Sequence, residues 1–295
     1  MSTVSTSPPR QPTAPAPDPY IYGWRDVPVT GPDGRVSYDQ VPLTLEDVLF
    51  PETGDFIVQT DHHDNDSSYL KSVFKVRLKG DPHVAVVSDC RVDWNIPGVR
   101  PLGPDIAVFF RIRHHRDWAT LDVAAEGAEP ALVVEVTSPQ SRKNDLETKV
   151  DFYHAAKIPL YVIADARTET DDTRRLELIA YRYQPDAYER IAADHRGWIW
   201  LEPVRLWLGV TRDRVPGYDL LACYDPETGE EIGDYLAVTR ALEAAEESRA
   251  RAEANAAAAL VQTRIEAQAR AEAEARIRAL ESELNRRAGS EPSAE

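Results

Sequence analysis

Long apolar runs are missing from this chain. No stretch approaches the roughly 18 residues that a membrane-spanning helix requires, so no contact with a bilayer is expected. The N-terminus also has no basic-then-apolar leader, and the expectation is a cytoplasmic protein. Cysteine is scarce. Cys90 and Cys223 stand far apart, in neither metal-binding nor redox spacing, and read as ordinary buried thiols in a reducing compartment. Positive charge is in short supply: 34 Lys and Arg stand against 50 Asp and Glu, for a net charge of −16. That argues against broad adhesion to nucleic acid, while leaving room for a local basic cleft. Glycine and proline are absent from about Ala237 to Ala288, so no turn is expected there.

What is present divides the 295 residues into unequal parts. Residues 1–19 are Ser, Thr, Pro and Ala, the composition of a disordered tail. From Tyr20 to Tyr38 there are aromatics but little periodicity, with a turn at Gly31-Pro32-Asp33-Gly34. Residues 20–210 are expected to form an α/β domain, 211–236 a linker, 237–288 a long helix, and 289–295 a second disordered tail. Thr44 to Leu49 reads as a short capped helix, with Thr44 as the cap and Asp47 three residues on. A helix starting at Asp66 or Ser67 carries Tyr69, Leu70, Val73, Phe74 and Leu78 at spacings of three and four. Strands are expected at Val84–Val87, Cys90–Trp94, Pro104–Phe110, Leu132–Val136 and Leu160–Asp165. Between the last two runs a helix through Leu146, Val150 and Tyr153 ends before Pro159. Leu176 to Leu201 reads as an antiparallel meander. The order strand, strand, strand, helix, strand makes a mixed central sheet flanked by helices. The long helix is rich in Glu–Arg pairs four apart, such as Glu247–Arg251 and Glu266–Arg270. Ile277, Leu280 and Leu284 give it a short seam, so it is either a self-associating coiled coil or a lone solvated helix.

The chemistry is carried by acids out of place. Leu132-Val133-Val134-Glu135-Val136 is a strand pattern covered on both faces, and a buried ionised Glu costs several kcal/mol unless paired or metal-bound. Asp105 repeats the anomaly at the head of Ile106-Ala107-Val108-Phe109-Phe110. Two acids on neighbouring core strands suit a shared divalent cation. Mg²⁺ (or Mn²⁺) takes oxygen ligands and keeps several waters, so Asp105, Glu135 and the backbone carbonyl of Val136 suffice. Lys149, on the following helix, is the positive side chain available to orient a water and stabilise charge. Asp145 lies four residues before it, as an exposed ion-pair partner. A purely structural account of the same residues stays open: Asp105 capping a turn, Glu135 paired with an arginine, Lys149 with Asp145.

Other candidates are less specific. His62 and His63 lie in a polar stretch, Asp61 to Asp66, able to offer a metal or a phosphate one imidazole. Adjacent histidines cannot easily face one site, no His-x-x-x-His spacing supports zinc, and a polar loop serves equally well. Asp93 is a lesser acid within its strand. Arg111, Arg113, His114, His115 and Arg116 form a basic cluster that meets either phosphates or solvent.

The combination Gly103-Pro104-Asp105, then Val133-Val134-Glu135-Val136-Thr137-Ser138-Pro139, then Asp145, Lys149 and Tyr153, resembles the Uma-two family. These are restriction endonuclease-like domains of the PD-(D/E)XK nuclease superfamily. Ile158 to Asp165 matches the family's strand after the helix, and the resemblance spans roughly residues 40–210. It implies a restriction-endonuclease-like core, metal-dependent phosphodiester hydrolysis and a nucleic-acid substrate, DNA first. Asp105 and Glu135 match the metal ligands. The superfamily's lysine two residues after the Glu is Thr137 here, and Lys149 matches the place from which this family supplies it. His62 or His63 corresponds to an upstream family histidine. The family's Glu-Leu-Ile-Asp-Gly entry is replaced by Asp55-Phe56-Ile57-Val58-Gln59. The competing expectation is a catalytically inactive assembly protein, oligomerising through residues 237–288.

Overall fold

The computed structural model describes residues 18–169 and 173–288. The tail expected over 1–19 lies outside the described residues except for its last two, and that over 289–295 lies outside them entirely. The described chain forms two units, one ending at Ile232 and one beginning at Gly233.

The first unit is built on a nine-stranded mixed sheet. Its strands are β4 (Ala85–Val87), β6 (Ile106–Phe110), β8 (Glu129–Val136), β9 (Leu160–Thr168), β10 (Arg174–Arg182), β11 (Glu189–Ile191), β12 (Ile199–Leu201), β13 (Leu206–Val215) and β14 (Tyr218–Tyr224). The spatial order is β12-β13-β14-β10-β9-β8-β6-β4, with β11 on β10. β8 lies near the middle, antiparallel to β6 and parallel to β9. Parallel neighbours need a crossover, here a π-helical turn (Asn144–Thr148) leading into α4 (Lys149–Ala155).

Strand alternation sorts the core into two layers. Val134, Val136, Ile106, Val108 and Val162 face one way, against Leu70, Val73 and Phe74 of α2 (Asp61–Leu78). Val133, Ala107, Phe109, Tyr161 and Ile163 face the other, against Tyr153, Trp94 and Leu121. Glu135 is odd-numbered and therefore enters the second layer. Smaller elements complete the unit: α1 (Leu45–Leu49), with the expected capping box at Thr44; α3 (Val123–Glu126); and the parallel pair β5 (Arg91–Asp93) and β7 (Thr120–Asp122).

Four sequence expectations change. The aperiodic stretch after Tyr20 is a hairpin, β1 (Gly23–Thr30) with β2 (Val36–Pro42), extended by β3 (Asp55–Ile57). β2 is exposed along its whole length, so no buried face imposes a pattern on its residues. Gly23 is obligatory there, since a Cβ would collide with the Phe56 carbonyl. α2 starts five residues early, at Asp61: the Thr60 side chain accepts from the His63 amide, and Asp61 and Asp64 suit the positive helix end. The meander is broken, because β11 pairs with β10 while β12 pairs with β13. The stretch expected as a linker, 211–236, contains the end of β13 and all of β14. Asp219 of β14 is buried and accepts the Leu176 amide of β10, a tertiary bond that no local pattern announces.

The second unit is one helix, α5 (Tyr235–Ala288), of 54 residues. Glu247–Arg251 forms at 3.4 Å, whereas Arg270 reaches forward to Glu274 at 3.1 Å. No helix among the described residues is long and apolar enough to cross a membrane.

Candidate active site

The register that pairs Ile106 with Val134 sets Asp105 opposite Glu135 at the sheet's centre. The Asp105 amide donates to Glu135 Oε2 at 3.3 Å, and the Val136 amide donates to Asp105 Oδ2 at 2.7 Å. Within a strand the N–H and C=O of one residue point to the same edge, so the Val136 carbonyl faces the Asp105 side. Glu135 is fully buried, and its Oε1 accepts the Tyr153 hydroxyl at 2.6 Å. Lys149 Nζ lies 3.0 Å from Glu135 Oε2 and 2.8 Å from Asp145 Oδ1. His63 Nε2 lies 3.0 Å from Asp105 Oδ2.

The π-helical turn explains how Asp145 and Lys149 both point inward. A turn widened to i→i+5 bonding shifts the following residues around the axis, a distortion frequent at functional sites. Two anchors hold it: the Asn144 side-chain Nδ2 donates to the Leu45 carbonyl at 3.2 Å, and the Tyr161 hydroxyl to the Asp145 carbonyl at 2.8 Å. The pair expected on an exposed helix face is thus buried, because the crossover packs that face onto β8.

Protonation follows from burial and neighbours. Burial pushes the Glu135 carboxyl well above the usual range; Lys149 opposes this, and Asp105 adds to it. Burial raises Asp145 as well, again opposed by Lys149. For Asp105 burial is outweighed by His63, Lys149 and the Val136 amide, which hold it low. Burial would lower Lys149, but Asp145, Glu135 and Asp105 raise it, so it stays an ammonium. The His63 imidazole, which burial alone would lower, is lifted to about 9 by the Asp105 carboxylate.

A cavity of about 560 Å³ opens over this group, lined among others by His63, Asp89, Asp105, Ser138, Gln140 and Lys149. Among the described residues no group of three or more His, Cys, Asp or Glu side chains is placed to hold a metal ion by itself. The donors nevertheless suit a hard divalent cation. Three buried carboxylates, Asp105, Glu135 and Asp145, have two cationic partners between them, Lys149 and His63, and neither Asp145 oxygen has a well-directed hydrogen-bond donor. Two carboxylates and a carbonyl are a sufficient protein contribution for Mg²⁺, which retains water.

Several candidates lie elsewhere. His62 packs its ring on Tyr218, 4.9 Å between centroids, while His63 turns inward. Asp93 Oδ1 accepts the Asn95 amide at 2.9 Å and holds a turn. In the basic cluster, Arg111 pairs with Glu129 at 2.9 Å and Arg116 with Glu126 at 2.6 Å. Two residues at the site carried no sequence expectation of a role. Tyr153 belongs to the family-like pattern after Lys149, but there it has no assigned task and otherwise reads as an apolar-stripe aromatic. Asp89 reads as a plain turn residue; it has φ 51° and lines the cavity while remaining exposed, and partial desolvation followed by the neighbouring Asp105 raises its carboxyl.

Comparison with known proteins adds three findings. Residues 53–211 match the family model Uma2, described as "Putative restriction endonuclease". A solved structure from Anabaena variabilis, described as a putative nuclease belonging to DUF820, aligns over 56% of this chain and 92% of its own, at 14% identity and a TM-score of 0.38. No curated protein matches the chain.

Proposed function

The chain belongs to the Uma2 family of restriction-endonuclease-like domains, and from that premise we propose that it hydrolyses nucleic-acid phosphodiester bonds with the help of Mg²⁺ or Mn²⁺. The observation that carries this reading is the opposed pair Asp105 and Glu135, two buried carboxylates on adjacent central strands. Asp105, Glu135 and the Val136 carbonyl would hold the ion. When bound, it supplies a Lewis acid for a phosphoryl oxygen and lowers the pKa of its water.

The chain's own groups have distinct tasks. Lys149 remains charged, so it serves as an orienting donor and a counter-charge to the developing phosphorane rather than as a general base. Asp145 anchors that ammonium from the far side. The Tyr153 hydroxyl fixes the rotamer of Glu135, and His63 fixes that of Asp105. DNA is the first substrate to test. The readout is nicking of supercoiled plasmid and of single strands with Mg²⁺ or Mn²⁺, lost in chelator. Glu135→Gln should lower the rate at least about a hundredfold. Absence of cleavage on every DNA and RNA substrate, with no metal-dependent thermal shift, would sink the proposal.

One observation favours a second reading. From Ala241 to Arg286 every residue of α5 is exposed, including Leu260, Val261, Ile265 and Leu284. A helix of that length with no covered face suits an assembly device. A catalytically silent interaction protein is therefore the alternative, and the same cleavage assay separates the two.

A further inference from the structure

A second cleft, of about 510 Å³, carries a charge opposite to that of the chain as a whole. Lys71 and Lys75 of α2 and its C-cap residue Lys79 line the cleft, four residues apart, with about 6 Å of helical rise between neighbours. The chain has six lysines, and three of them stand on this stripe. None of the three forms an ion pair among the described residues. His115 and Arg116 also line the cleft, together with the edge strand β4. Asp81 and Asp117 also line the cleft; with Arg116 already paired to Glu126, three lysines face these two acids. Cys90 and Trp118 line both this cleft and the cavity over Asp105, so the two adjoin across these side chains.

We propose that this cleft is the track for the sugar–phosphate backbone of a polynucleotide whose scissile phosphate lies at the Asp105–Glu135 site. The proposal rests on the hydrolase reading for the cleavage step, but not for binding. A protein of net charge −16 repels a polyanion at long range, so a strand approaches where the local field reverses. Lysines are point charges on flexible stems, and they contact phosphates without reading bases. The substrate class that follows is a polymer engaged beyond the cleaved bond, with no sequence preference contributed by this flank.

The test uses the full chain and a Lys71→Gln/Lys75→Gln/Lys79→Gln variant, since Gln preserves helix propensity and Lys75 and Lys79 are exposed. Binding of a labelled single strand and of a duplex is followed by anisotropy in chelator across a salt series. In parallel, hydrolysis of bis(p-nitrophenyl) phosphate is measured with Mg²⁺ and Mn²⁺. The variant should bind at least about tenfold more weakly at low salt, and its log Kd against log salt slope should fall by about two. Its hydrolysis of the small diester, which needs no track, should equal that of the parent. An unchanged slope, or a parent that binds neither nucleic acid, overturns the track. Displacement by poly-glutamate as effective as by a polynucleotide also overturns it, in favour of an acidic peptide on the β4 edge. Lysine-dependent binding without hydrolysis of any diester leaves the track standing and removes the hydrolase reading instead.

Discussion

Tyr153 illustrates how one hydroxyl can set the behaviour of a buried acid. Its 2.6 Å bond to Glu135 Oε1 occupies one carboxylate oxygen and leaves the other, Oε2, for Lys149 and the Asp105 amide. Tyr153→Phe keeps the ring packing and deletes the donor. Its expected cost is about 1.5–3 kcal/mol, read by denaturant unfolding in chelator. If Glu135 is a metal ligand, the same variant should need about tenfold more Mg²⁺ for half-maximal cleavage, as outer-shell losses generally do. Asp165 offers a residue-level test away from the site. Its buried carboxylate accepts from Arg142 at 2.7 Å and from Arg167 at 2.6 Å. Burial would raise it, but those guanidiniums hold it below its ordinary value of 3.8. A depressed folded-state pKa contributes stability above the unfolded value and loses it as pH falls through the folded one. The stability gap between the parent and Asp165→Asn should therefore be full at neutral pH and shrink below 3.8. A gap that stays constant through acid titration would contradict the ion-pair account.

At the scale of elements, α2 and the π-helical turn bring polar groups to a sheet that would otherwise be sealed. The first turn of α2 exists because Thr60 caps it, and that turn carries His63 to Asp105. Thr60→Ala should lower stability by about 1 kcal/mol, measured by urea unfolding. It should also loosen His63 without touching the carboxylates. The π-helical turn acts differently, by adding a residue's worth of rotation just before Lys149. Its widened geometry is what converts an ordinary i,i+4 pair into a buried bridge among Asp145, Lys149 and Glu135.

At the scale of the molecule, the two units differ in how they are stabilised. The sheet unit buries two hydrophobic layers, whereas α5 depends on propensity and exposed ion pairs worth a few tenths of a kcal/mol each. A chain ending at Ile232 should keep the melting temperature of the sheet unit. Sedimentation should show it as a monomer where the full chain sediments as an oligomer. Equal sedimentation of the two would refute self-association through α5.

The sequence by itself determined most of the central strands and the identity of the acids that matter. Val133, Val134 and Val136 leave no exposed face for Glu135, and a charge so placed has to be compensated. The same is true of Asp105, and the absence of glycine and proline after Ala237 was enough to specify α5. The tertiary structure decided everything that depends on register and on distant partners. Only the antiparallel pairing of β6 with β8 could set Asp105 opposite Glu135, and only α2's approach could choose His63 over His62. Of the hairpin β1–β2 only the turn at Gly31 to Gly34 was readable, because β2 is exposed throughout, and β14 was missed because its buried Asp219 answers to β10. Hydrophobic periodicity records which face a residue must hide. It does not record which remote backbone or side chain will meet the polar groups hidden with it.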